Sequence, residues 1–242
     1  MHIHYIDEVI STNHYLAHLP NNDNLPEGFM VVTDFQTGGR GQAENRWESE
    51  RGLNILCSTW FSFEFLEPAN QFYISKAAAI ACKELLGFLG KSVALKWPND
   101  IYIGDKKAGG ILIENSIIGN SISNTIVGIG LNVNQSVFST DLPNPVSLNM
   151  ITGEIYNLQN LVKELQLYLI HWFNILQDRQ FELIDEAYTE SLYRKSGKWL
   201  FKTDDTPFEA EIKEVLPTGQ LVLATNDGDK TFWFKEVEFI IG

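Results

Sequence analysis

Apolar positions change their spacing several times along the chain, and each change marks an element. Residues 29–35 (FMVVTDF), 53–65 (LNILCSTWFSFEF) and 125–133 (TIVGIGLNV) are short and rich in β-branched and aromatic side chains, which predicts strands. In the second run Phe61, Phe63 and Phe65 alternate with Ser62 and Glu64, the mark of a half-buried strand. Residues 71–89 and 158–176 carry helical spacing instead, with Leu158, Leu161, Val162, Leu165, Leu169, Trp172 and Phe173 on one stripe of the second. Ser11-Thr12-Asn13 stands before Tyr15 and Leu16, which predicts an N-cap at Ser11 and a helix offering free N–H groups. Beyond Gly197 short runs at 199–202, 208–215, 221–224 and 231–241 are separated by Pro217-Thr218-Gly219 and Asn226-Asp227-Gly228, the pattern of a small all-β barrel of about 45 residues. The pattern therefore predicts α+β: helices covering a sheet over residues 1–194, followed by a C-terminal β-barrel over 195–242.

Composition narrows this picture. The 242 residues are 44% hydrophobic, 12% aromatic and 20% charged, enough apolar surface to offset chain entropy, so a folded globule is expected rather than a disordered chain. No run of about 18 apolar residues suits a membrane helix. The N-terminus MHIHYIDE lacks the basic and apolar regions of a secretory signal, so a cytoplasmic protein is expected. Cys57 and Cys82 have no CxxC partner and sit in apolar contexts, the setting of buried structural thiols. A formal charge of -13 argues against sequence-independent binding of nucleic acid. From Arg40 to Arg51 and from Lys96 to Lys107, however, six basic residues stand against five acidic ones, as sites for anionic ligands require.

Three segments carry candidate chemistry. Gly38-Gly39-Arg40-Gly41-Gln42 follows the first long strand, and its glycines allow close backbone approach while Arg40 delivers charge. It is neither a P-loop nor a dinucleotide fingerprint, since no Lys-Ser/Thr follows and Glu44 takes the third glycine's place. Lys96-Trp97-Pro98-Asn99-Asp100-Ile101 and Lys106-Lys107-Ala108-Gly109-Gly110-Ile111-Leu112-Ile113-Glu114 flank a Gly104-Asp105 turn, which predicts Lys96 and Lys107 on paired strands with Asn99 and Asp100 at a bend. Gly128-Ile129-Gly130-Leu131-Asn132-Val133-Asn134 sets an Asn beside a strand whose glycines permit close packing. Each segment alone also reads as an ordinary turn, an exposed hairpin or a packing device.

In this order the three segments resemble the biotin protein ligases: the GRG loop ending at Arg46-Trp47, then KWPND with its KxxGIL continuation, then GIGLNVN. The resemblance covers essentially the whole chain and is most specific from Lys96 to Glu114. It implies a class II synthetase-like mixed sheet and a C-terminal SH3-like barrel. It also implies the monofunctional type without a DNA-binding domain, since the first strand begins at once and leaves no room for a helix-turn-helix. Where many members have Arg, Gly and Arg in the loop, this chain has Gln42, Glu44 and Asn45, which leaves the retention of an adenylate open.

The implied activity is ATP-dependent conversion of biotin to biotinyl-5'-AMP, then transfer to a lysine of a biotin carboxyl carrier protein. The resemblance gives Lys107 and Arg40 as catalytic residues, with Lys107 bridging the biotin carboxyl and phosphate oxygens; transfer also needs a carboxylate to orient the acceptor amine and take its proton, for which Asp100 is the candidate, a plain hairpin cap being the alternative. Ser11, Thr12, Gln36, Gly39, Arg40, Gly110 and Gly128 would bind biotin. Arg40, Gln42, Trp47, Lys96, Asn99, Lys107 and Asn132 would bind ATP or the adenylate, with residues 142–148 covering adenine and Trp47 and Trp97 walling the pocket. Biotin and ATP are substrates, and Mg2+ held mainly by pyrophosphate oxygens suits the chemistry. No protein metal site, nucleic acid or membrane is implied, and a homodimer stays open. A lipoate ligase of the same fold and a non-catalytic biotin or nucleotide binder remain as alternatives; Lys96, Asp100 and Lys107 count against the second.

Overall fold

A computed structural model describes residues 2–20, 25–42 and 45–241. Glu44, the loop position noted above, lies outside them. A seven-stranded sheet is built from β1 (Ile3–Val9), β2 (Phe29–Gln36), β3 (Ile55–Phe63), β4 (Val93–Lys96), β5 (Asp100–Ile103), β6 (Lys106–Ile118) and β7 (Ser121–Leu131). Its order is β1-β2-β3-β7-β6-β5-β4, parallel between β1 and β2 and antiparallel elsewhere. Five helices accompany it: α1 (Thr12–Ala17), α2 (Phe72–Leu85), α3 (Leu148–Thr152), α4 (Leu158–Gln177) and α5 (Phe181–Ser191). No helix among the described residues is long and apolar enough to cross a membrane.

Period-two alternation sorts the strand residues between two layers. Met30, Val32, Cys57, Phe61, Val127 and Ile129 pack in the large core with α2 and α4, whereas Val31, Trp60 and Ile126 pack with Leu16 of α1 on the opposite face. β3 is accordingly buried along nearly its whole length instead of half-buried, and Phe65 falls beyond its end. The stripe on α4 faces inward as expected, Leu158 being only partly buried. The helix expected over 71–89 stops at Leu85 and gives way to a 3-10 turn over Gly87–Ser92, where Gly90 takes a φ of 68°.

A second sheet follows, with β8 (Trp199–Thr203), β9 (Thr206–Val215), β10 (Leu221–Thr225), β11 (Gly228–Phe232) and β12 (Glu238–Phe239) in the all-antiparallel order β11-β10-β9-β8-β12, as in an SH3-like barrel. The run at 231–241 is thus two strands, divided by a turn. This sheet is fastened to the first by specific bonds: Trp97 Nε1 donates to Gly219 O (2.8 Å), and Phe72 N donates to Pro217 O (3.1 Å). Lys76, 2% exposed on α2, bonds Val215 O at 2.7 Å and Asp185 of α5 at 2.6 Å. Burial lowers its pKa, and Asp185 partly offsets the shift.

Candidate functional site

On the α1 side of the large sheet, β6 and β7 carry a patch without side chains. Gly110 pairs with Gly130, and Leu112 pairs with Gly128, so the backbone itself forms the floor. A cavity of about 390 Å³ stands over it, within the range of small-ligand pockets. Glycine is required here by neighbouring side chains: a Cβ at Gly130 would lie 2.5 Å from the Trp47 indole, and one at Gly128 would collide with Asn13. The elements α1, β2, the loop after it, the β4–β5 turn, β6, β7 and the second sheet all contribute walls.

One end is a network of neutral polar groups. Ser11 occupies the N-cap of α1, yet its side chain makes no capping bond, and the expected free amide is already taken: Thr12 N donates to Gln36 Oε1 at 2.9 Å. Ser58 donates to Asn13 Oδ1 (2.5 Å) and lies 2.7 Å from Thr12 Oγ1. Asn13, 3% exposed, donates through Nδ2 to Glu114 Oε2 at 2.7 Å, and the same oxygen receives Arg40 at 2.9 Å. A chain of bonds therefore runs from Thr12 to the guanidinium.

The other end is ionic. Lys96 and Lys107 do not sit on adjacent strands; β5 runs between β4 and β6, making a three-stranded meander in place of the expected hairpin. That insertion puts Asp100 between the two ammonium groups, 2.5 Å from Lys107 Nζ and 3.7 Å from Lys96 Nζ. Lys96 has only 17% of its side chain exposed, and burial first, then the nearby Lys107, push its pKa down while Asp100 pulls it up. Lys107 N donates to Asn144 O and Val146 N donates to Lys107 O, so the segment around Pro145 fixes the backbone at Lys107.

Ser11, Thr12, Gln36, Arg40, Gln42, Trp47, Lys96, Asn99, Asp100, Lys107, Gly110 and Gly128 therefore meet around one space. Two expected residues do not. Gly39 is buried away from the cavity, where a Cβ would strike Trp47 O: the protein's own backbone is what comes close. Asn132 is 4% exposed and spends its Nδ2 on Val146 O at 3.1 Å, outside the cavity wall. Residues 142–148 likewise lie behind Lys107 and not on the wall. Trp97 does wall the cavity, and Cys57 joins it. Burial pushes the Cys57 thiol up to about 12.

Sequence reasoning missed Asn13, Ser58 and Glu114 as a unit, and missed the contribution of Lys235, Val237, Glu238, Phe239 and Ile241 from the second sheet. Lys96 Nζ stands 5.0 Å from the Phe239 ring centroid, so that sheet closes the cavity next to the buried lysine. No cluster of three or more His, Cys, Asp or Glu among the described residues suits a metal ion.

Residues 5–132 match the biotin/lipoate A/B protein ligase family. Over 251 aligned residues the chain is 30% identical to the bifunctional ligase/repressor BirA of Bacillus spizizenii, covering 98% of this chain and 74% of that one. Its fold matches a biotin protein ligase from Aquifex aeolicus in complex with biotin and ATP, with a TM-score of 0.79, 22% identity and coverage of 100% and 99% of the two chains. A biotin protein ligase from Leishmania major, in complex with biotinyl-5-AMP, matches with a TM-score of 0.61 and 24% identity over 96% of this chain and 98% of that one.

Proposed function

The chain belongs to the biotin/lipoate A/B protein ligase family, and on that premise we propose that it activates biotin with ATP as biotinyl-5'-AMP and transfers it to a lysine of a biotin carboxyl carrier protein. The observation that carries this reading is that Arg40 and Lys107, distant in sequence, line one cavity together with the uncharged polar groups of Ser11, Thr12, Asn13 and Gln36. Joining a carboxylate to the α-phosphate brings two anions together, so positive groups must stand where charge grows at phosphorus.

In the first step a biotin carboxylate oxygen attacks the α-phosphorus, and the bond to the departing pyrophosphate breaks. Lys107 steadies both anions, and Arg40 exchanges Glu114 for the new one. The ureido group needs hydrogen-bond partners when buried. Ser11, Thr12 and Gln36 supply polar atoms there, with the valeryl chain running along the cavity beside Trp47, whose indole already covers the glycine floor. Lys96, Asn99, Gln42 and Trp47 face the nucleotide. In the second step the acceptor's neutral amine attacks the acyl carbon and AMP leaves. Asp100, held between two ammonium groups, is the carboxylate that takes the amine's proton.

Magnesium fits as a companion of the nucleotide. Asp100 is already engaged by two lysines, and Glu238 accepts from Lys202 at 3.0 Å, so the cavity offers no free carboxylate cage among the described residues.

The decisive experiment incubates the chain with ATP, Mg2+, biotin and a carrier domain, then measures the intact mass of both proteins. A gain of one biotinyl group on the carrier supports the reading. Incorporation of lipoate but not biotin, or no gain with either acid, would overturn it.

A further inference from the structure

The cavity collects cations in a chain that is acidic as a whole. Of 18 basic residues in a protein with 31 acidic ones, Arg40, Arg46, Lys96, Lys107 and Lys235 stand at this one space, against Asp100 and Glu238 among the described residues. Arg40 is paired with Glu114, Lys107 and Lys96 share Asp100, and Glu238 is taken by Lys202 from outside. Lys235 has no ion-pair or hydrogen-bond partner among the described residues, although it comes from the second sheet.

Its backbone is unusual in the same place. Lys235 holds a φ of 71°, the left-handed region that glycine tolerates and L side chains rarely adopt. The turn that imposes it is fixed from both sides. Trp233 N donates to Glu236 Oε2 at 2.6 Å, Glu236 N donates to Trp233 O at 3.1 Å, and Thr203 Oγ1 donates to Glu236 O at 3.1 Å. Phe234 packs against Trp97 (5.4 Å between centroids) and Phe72 (6.0 Å), so the residue before Lys235 is anchored to the large sheet's side of the junction. Val237, two residues on, is 4% exposed. A turn so anchored has no need of a lysine, and glycine would adopt its geometry at lower cost.

We propose that Lys235 binds the phosphates of the nucleotide, supplying from the second sheet a cation in an activation site whose loop carries Gln42 and Asn45 in place of the arginine-rich sequence. The position suits that assignment: Lys235 lines the cavity from the turn between β11 and β12, and Phe239, on the strand that follows, stands beside Lys96. Lys96 and Lys107 also serve Asp100, and Arg40 is shared with Glu114, so a further cation adds to what Mg2+ and these groups offer a triphosphate. Lys235 supplies it with three donors and no competing acid.

The inference rests on the ligase reading, and the test separates the two. Biotin-dependent exchange of labelled pyrophosphate into ATP is measured for the wild type, Lys235→Gly and Lys235→Arg, with the melting temperature of each. Glycine keeps the left-handed turn, so Lys235→Gly is expected to melt at or above the wild type. Its KM for ATP should rise roughly five- to tenfold with KM for biotin unchanged, the size expected for one charge-assisted contact. Lys235→Arg, which keeps the charge, should stay within about twofold of the wild type. Active wild type with an unchanged KM for ATP in Lys235→Gly overturns the inference and leaves the ligase reading standing. A wild type without biotin-dependent exchange overturns both.

Discussion

Gly128→Ala tests whether the neutral end of the cavity is held together as described. The new methyl would overlap Asn13 Oδ1, with Cγ at 3.0 Å and Nδ2 at 3.2 Å, all inside the ordinary contact distance of about 3.5–4.0 Å. Asn13 is the end of a short side chain, but it cannot swing away freely: it is 3% exposed and tied to Ser58 at 2.5 Å and Glu114 at 2.7 Å. Moving it breaks the Asn13 bonds to Ser58 and Glu114; Ser58 keeps Thr12 Oγ1, but the buried Asn13 amide is left short of partners, at about 1–3 kcal/mol for each unsatisfied group. Allowing for partial relaxation, a loss of about 2–4 kcal/mol is expected from urea unfolding. The KM for biotin should rise too, because Glu114 would lose the bond that steadies it against Arg40. Since the damage acts through Asn13, Gly128→Ala combined with Asn13→Ala should be no less stable than Asn13→Ala alone. A single variant within about 0.5 kcal/mol of the wild type, or a double variant in which both losses add, refutes the reasoning.

Lys107→Ala should lower the rate of adenylate formation by at least about 10²-fold, the size found when one charge-stabilising donor is removed. Its fold should survive because Lys96 remains near Asp100, and normal pyrophosphate release by a folded variant would remove the role assigned to Lys107. Lys96 titrates below the usual lysine range, so it loses its charge as pH rises earlier than an exposed lysine does. The KM for ATP should therefore climb on the alkaline side, and a Lys96→Gln variant that keeps the same climb would assign it elsewhere. Burial pushes both cysteine thiols well above their ordinary range, so neither Cys57 nor Cys82 should react with iodoacetamide at pH 8 in the native protein. Labelling as fast as in denaturant would contradict that burial.

What was legible in the sequence is what depends on neighbours along the chain. The strands around Val31, Cys57 and Val127 and the helix from Leu158 declare themselves through local periodicity, and Lys96, Asp100 and Lys107 through their company of glycine and turn residues. The Asn13–Ser58–Glu114 network was not legible, because it exists only once Ser58 is set opposite Gly128 in the register of β3 and β7. Nor was the contribution of Lys235 to Ile241, which depends on where Phe234 seats against Trp97 and Phe72. Gly39 and Asn132 do not line the cavity: Gly39 admits Trp47 O, and Asn132 holds Val146 O through Nδ2.

Gly110 and Gly130 face each other across two strands, and the Trp47 indole touches the space above both, so three positions share one thickness of space. None of them is free to drift on its own. Among homologues, a side chain gained at either strand position should be accompanied by a smaller ring or none at the position of Trp47, and lineages that keep the indole should keep both bare positions beneath it.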